Sequence, residues 1–249
     1  MKKVILLSTT LLILFISCQT TEYETIIKDS DFRSTINTGK FIEFENGFTY
    51  YEIENGNQKN TLVFIHGFSV PSYIWDNTFN SAIKKGYRVI RLDLYGRGYS
   101  DNPNTDYTDE LFADQVIELL KKLNIDKATF LGLSNGGRVI SKLAYLKPNL
   151  VEKLIYVSAS SFYESAQSLN NNVSKKEIQD FITSQYPTIS KSQLLDFKYP
   201  ENYPDWDDKY EELLTDESLR KNLVLWNLKH TVQGALKQGF IDAGITMED

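Results

Sequence analysis

The stretch that most constrains this chain is Gly132-Leu133-Ser134-Asn135-Gly136. It lies between the apolar run Ala128-Thr129-Phe130-Leu131 and the helix-like segment Gly137-Arg138-Val139-Ile140-Ser141-Lys142-Leu143. This is G-x-S-x-G in a strand–turn–helix setting. A turn that tight leaves no room for bulk beside the serine, and glycine at 132 and 136 meets that demand. Such a turn lifts the Ser134 hydroxyl clear of the sheet and sets the Asn135 backbone N–H beside it. A candidate nucleophile and one candidate oxyanion donor thus come from adjacent residues.

The rest of the chain supplies a matching scaffold. Residues 40–45 and 48–54 alternate on either side of Asn46-Gly47, a strong short-range hairpin signal. Residues 61–65 form a continuous apolar run that reads as a buried parallel strand leading into His66-Gly67-Phe68-Ser69. Helix is expected over 76–85, strand over 87–93, helix over 108–123, where apolar residues recur at helical spacing, and a sixth strand over 153–158. Strands alternating with helices imply a mostly parallel sheet of α/β class. Beyond residue 158 the pattern becomes helical. Segments 175–184 and 217–238 are read as helices capped by Ser174 and Asp216, separated by an aromatic, Pro-containing stretch at 199–206.

The amino terminus reads as a targeting segment. Lys2 and Lys3 precede an apolar stretch over 4–16 that is shorter than the about 20 residues a membrane span requires. It ends in Phe15-Ile16-Ser17-Cys18, which resembles the lipobox of bacterial lipoproteins, where the signal is cut before a lipidated cysteine. The competing reading is an ordinary secretory signal with an incidental cysteine. Because the chain's single cysteine falls at the lipobox position, lipidation of Cys18 is expected, making the protein an exported lipoprotein on the extracytoplasmic face of a membrane. The expected organisation is a signal over 1–17, a polar tether over 18–38, a core over 39–158 and a helical lid over 159–249.

Totals exclude several other functions. A net charge of −6 argues against a nucleic-acid surface. One cysteine and two histidines leave little with which to build a disulfide or a Cys/His metal centre.

Three motifs in order carry a resemblance: His66-Gly67-Phe68 after the third strand, Asp93-Leu94-Tyr95-Gly96-Arg97-Gly98-Tyr99-Ser100-Asp101 after the fourth, and Gly132 to Gly136 after the fifth. Together they resemble the α/β-hydrolase fold superfamily, specifically its capped small-molecule hydrolases. The resemblance implies that Ser134 is the nucleophile and that the N–H groups of Phe68 and Asn135 form the oxyanion hole. It implies no cofactor or metal, and a small ester or similar acyl substrate. Carbon–carbon bond hydrolysis and cofactor-free perhydrolysis remain open on the same scaffold. The Asp-x-x-Gly-x-Gly-x-Ser loop is expected to be structural, with a salt bridge from Arg97 ordering the loop in preference to Arg97 binding a substrate carboxylate. Tyr95, Tyr99 and Trp75 read equally as pocket or packing aromatics.

The resemblance also exposes a gap. The family places its triad acid after a seventh strand and its histidine after an eighth, and neither pattern follows Ser158. The expectation is therefore a C-terminally truncated core with impaired activity, or alternatively a non-catalytic remnant or membrane-tethered binding protein. His230 falls in a helical pattern and His66 in the oxyanion loop, so neither is expected to act as the base. The acidic group Asp205, Asp207 and Asp208 reads as a solvated loop.

Overall fold

The computed structural model describes residues 26–159, 174–196 and 217–242. The signal run, Cys18, the 199–206 stretch with the aspartates beside it, and Asp216 lie outside them.

Asn46 and Gly47 close the first hairpin. Gly47 adopts φ 117°, a left-handed value that side chains resist, and β1 (Lys40–Phe44) pairs antiparallel with β2 (Gly47–Glu54). Beyond it lie β3 (Thr61–Ile65), β4 (Arg88–Leu92), β5 (Ala128–Leu133) and β6 (Val151–Val157). The spatial order is β1-β2-β4-β3-β5-β6, with every pair from β4 to β6 parallel. This is the mostly parallel α/β sheet expected from the sequence. Val63, Phe64 and Ile65 of β3 are wholly buried, as a central strand covered on both faces requires.

Helices cover both faces. One side carries α2 (Asp76–Lys84), whose Phe79 and Ala82 pack with Phe64, Trp75 and Val89. The other carries α3 (Asp109–Lys122) and α4 (Asn135–Leu146), whose Phe112, Val116, Leu119, Val139 and Leu143 close the larger core over Val63, Ile90 and Phe130. Thr108 caps α3 by accepting the Leu111 N–H at 3.1 Å. Lys121 and Lys122 sit in its last turn, where cations complement the helix dipole. At the far edge, β6 leaves Ile155 and Tyr156 at 42% and 47% exposed.

The segment read as a tether contains a short helix, α1 (Ser30–Ser34), started by Asp29, which accepts the Phe32 N–H at 2.9 Å. Residues flanking and within α1 contact the core. Lys28 Nζ donates to the Ser100 carbonyl at 2.6 Å, and the Arg33 guanidinium lies 3.8 Å from the Phe48 ring centroid.

Past β6 the described residues are helical. In α5 (Lys175–Asp196), Ser174 Oγ accepts the Glu177 N–H and the Glu177 carboxylate accepts the Ser174 N–H, a reciprocal capping box. The single helix expected over 217–238 is instead two: α6 (Glu217–His230) and α7 (Val232–Asp242), divided at Thr231. The break is tertiary in origin. Thr231 is fully buried against the β4 loop, its hydroxyl 3.5 Å from the Gly98 N–H, and Gly234 meets the Gly96 backbone so closely that a Cβ would collide with it. Ile178 and Ile182 of α5 pack with Val232, Ala235 and Leu236 of α7, and Phe68 leans against this cluster.

Candidate active site

The β5–α4 junction holds the serine in a costly conformation. Ser134 has φ 50° and ψ −119°, a region that favours glycine and typically costs a side chain about 1–3 kcal/mol. The Ser134 N–H bonds the Val157 carbonyl at 3.0 Å, and the Ser134 carbonyl accepts the Gly137 N–H at 3.0 Å. Both glycines of the motif are sterically required. A Cβ on Gly132 would lie 2.5 Å from the Gly136 carbonyl oxygen, and one on Gly136 would lie 2.6 Å from that of His66.

That second contact carries the β3 loop to the serine. A Cβ on Gly67 would sit 3.2 Å from Ser134 Cβ and 3.8 Å from Ser134 Oγ. The Phe68 peptide, which begins at Gly67, is thereby brought beside the Ser134 side chain. Asn135 opens α4, so its N–H belongs to the first turn, where backbone donors lack intrahelical partners and the helix dipole is positive. Ser134 therefore lies between the Gly67–Phe68 segment of the β3 loop and the first turn of α4, the two segments expected from the sequence to supply the oxyanion donors. The Asn135 side chain is buried as well, and its amide nitrogen has no acceptor among the described residues.

Around this centre the loops are tied together by buried polar groups. Asp93, at the end of β4, accepts the Ser72 N–H at 2.8 Å, the Ser72 hydroxyl at 2.5 Å and the Tyr99 N–H at 2.9 Å. Burial pushes its pKa up despite these donors. Ser100 donates to the Asp93 carbonyl and accepts the Tyr50 N–H, closing the loop on itself and on β2. Arg97 is almost wholly buried. Its Nε donates to the Phe68 carbonyl at 2.9 Å, one terminal nitrogen donates to the Tyr95 carbonyl at 3.2 Å, and the other donates to the Gln238 side chain. Arg97 does tie the loop down, but where a salt bridge was expected these hydrogen bonds run to the carbonyl oxygens of Phe68 and Tyr95 and the side-chain oxygen of Gln238. Their spacing along the chain left no trace by which the sequence could have disclosed them. Of the three aromatics, Tyr95 and Trp75 are packing residues, buried to 1% and 5% exposure, whereas Tyr99 borders a cavity.

Both histidines of the chain are described, and neither bonds Ser134. His66 Nδ1–H donates to the Gly67 carbonyl at 2.7 Å, and its Nε2 accepts the Leu94 N–H at 2.9 Å. A carbonyl can only accept and an amide N–H can only donate, which fixes the neutral tautomer. Burial, with a smaller push from Arg97, lowers its pKa to about 3. His230, on α6, donates from Nδ1 to the Trp226 carbonyl at 2.8 Å and stacks on the Trp226 ring with centroids 4.4 Å apart. Burial lowers its pKa to about 4.

A mostly parallel α/β sheet with a strained serine turn and a His-Gly loop packed against it defines a class. The profile of the alpha/beta hydrolase fold matches residues 60–246, and the chain belongs to that family. It is 26% identical over 213 residues to the AB hydrolase superfamily protein YisY of Bacillus subtilis, covering 85% of this chain and 74% of that protein. It is 39% identical over 98 residues to an uncharacterized protein of Mycobacterium tuberculosis; that match spans 39% of this chain and only 28% of the relative. Among solved structures it is similar in fold to an esterase from Exiguobacterium antarcticum, with a TM-score of 0.59 and 22% identity, covering 85% of this chain and 76% of the esterase.

Proposed function

We propose that the protein is a serine hydrolase acting on a small ester or similar acyl substrate. Ser134 Oγ attacks the carbonyl carbon, and the N–H groups of Phe68 and Asn135 hold the oxygen that gains charge. The observation that supports this reading is the approach of Gly67 to a strained Ser134: a Cβ added there would sit 3.8 Å from Ser134 Oγ. Each such donor contributes typically about 10²–10³ in rate. The α5–α7 helices act as a lid, and their packing on Phe68 links lid position to the oxyanion hole. The esterase among the structural neighbours supports the reaction class by analogy.

Ser134 also needs a proton acceptor, and neither histidine of this chain is hydrogen-bonded to it: His66 has both ring nitrogens engaged, and His230 directs Nδ1 to the Trp226 carbonyl. Triad enzymes stripped of a member keep only about 10³–10⁴ over water. This chain by itself is accordingly a slow hydrolase. That same observation favours the second reading, a binding protein that keeps the site without turnover. Hydrolysis of short-chain p-nitrophenyl esters by the whole chain and by Ser134→Ala separates the two. Slow turnover lost in the variant supports the hydrolase; equal background rates in both proteins support the binding protein.

A further inference from the structure

A cavity of about 360 Å³ opens between β2, β4, the start of α2 and α6, and Ser134, Asn135 and Phe68 are not among its lining residues. Four aromatic side chains wall it: Tyr50, Tyr99, Trp226 and Tyr73. They meet edge to face in series. Tyr50 and Tyr99 have centroids 5.1 Å apart at 71°, Tyr99 and Trp226 5.6 Å at 89°, and Trp226 and Tyr73 5.5 Å at 73°. These contacts set ring edges against ring faces, and Trp226 also stacks on His230 with centroids 4.4 Å apart, so the cavity is walled by the ring surface that remains. The Tyr50 hydroxyl is already bonded to Glu52 and Thr38, and that of Tyr73 to Asn227. What these two tyrosines offer the cavity is their π surface.

The charge inside is negative. Glu52, Asp76 and Asp93 line the volume, with Arg91 as the one cation among the lining residues. Arg91 is occupied: one terminal nitrogen bonds both Glu52 oxygens at 3.0 and 2.9 Å, and the other bonds Asp76. Two carboxylates against one guanidinium leave a net negative charge before Asp93 is counted. Lys28 reaches the neighbourhood but donates to the Ser100 carbonyl and does not line the cavity.

Aromatic faces and negative charge favour a cation. The lining carboxylates already accept hydrogen bonds, Glu52 from Arg91 and Tyr50, Asp76 from Arg91 and Asp93 from Ser72 and Tyr99, which favours a cation that donates none. We propose that this cavity binds a quaternary ammonium group, at a site separate from the Ser134 turn and independent of whether Ser134 is a nucleophile. The shape and the charge make different demands on the ligand, so they can be tested apart.

The test is a calorimetric titration of the whole chain with choline and, in parallel, with its uncharged tert-butyl isostere. Saturable choline binding is expected, with the isostere weaker by about tenfold or more. Trp226→Leu and Tyr73→Leu, each checked for cooperative melting, are both expected to weaken choline by a similar factor. If one variant fails to fold, the other still decides. Absence of saturable choline binding would overturn the proposal. So would equal binding of the isostere, which marks an apolar cavity only, or unchanged affinity in the folded variants, which places the cation elsewhere.

Discussion

Arg97 Nε donates to the Phe68 carbonyl at 2.9 Å, so the loop after β4 holds the peptide that follows the His-Gly pair. The same guanidinium reaches Gln238 on α7, making one buried side chain the joint between both loops and the outer helices. Lysine cannot reproduce that fork, because it carries its donors on one nitrogen. Arg97→Lys is expected to lower unfolding free energy by about 2–3 kcal/mol through acceptors left unpaired. It should also reduce ester turnover beyond what the stability loss explains. Denaturant melts beside kinetics at a temperature where both proteins are folded check this.

The strain at Ser134 yields a separate expectation. At φ 50° and ψ −119° alanine is as strained as serine, whereas glycine is not. Ser134→Gly should therefore be more stable than Ser134→Ala by about 1 kcal/mol, although glycine normally weakens a chain through its unfolded state. Chemical denaturation of the two variants provides the comparison.

Acid should destabilise the protein early. His66 and His230 have folded pKa values lowered to about 3 and about 4, chiefly by burial, against about 6.5 when unfolded. Below pH 6.5 the unfolded chain takes up protons that the folded chain refuses. The stabilisation is complete above that pH and is lost as pH falls, at up to about 1.4 kcal/mol per unit for each histidine. Asp93 and Asp242, raised by burial, act in the opposite sense within the carboxylate range. Unfolding midpoints measured from pH 7 to pH 5 should slope downward, and His230→Gln should flatten that slope. With two histidines in the chain, their NMR titrations can be followed individually.

Gly234 and Gly96 touch backbone to backbone where α7 crosses the β4 loop. Gly234→Ala should force the crossing apart at a cost of about 1–3 kcal/mol. The outer helices should then be cleaved by protease well before the sheet, which limited proteolysis reads directly.

The lipobox resemblance around Cys18 makes lipidation and membrane attachment an expectation with its own test. Cys18→Ser should abolish incorporation of labelled palmitate and move the protein out of the membrane fraction. Retention of both would assign the attachment to something other than this cysteine.

The sheet was legible because its signals are local. Asn46-Gly47 forces a hairpin, and the runs at 61–65 and 128–131 have strand composition with turns behind them. The turn at Ser134 was legible for the same reason, since its glycines sit within two residues of the serine they serve. What escaped was set by distant partners. Nothing in residues 217–238 marks a break at Thr231, because Gly98 and Gly96 of the β4 loop impose it. The aromatic walls contributed by Tyr50, Tyr73, Tyr99 and Trp226 come from four separate elements, and no spacing connects them. The carbonyl partners of Arg97 are backbone atoms, which carry no residue signature at all.

The most direct test of the central claim is to treat the folded chain with a fluorophosphonate probe and map any adduct by mass spectrometry. A serine nucleophile beside two oxyanion donors predicts a phosphonate on the Ser134 peptide, formed slowly and absent from Ser134→Ala. A folded protein that remains unlabelled after prolonged exposure, or that carries its adduct on another residue, would contradict it.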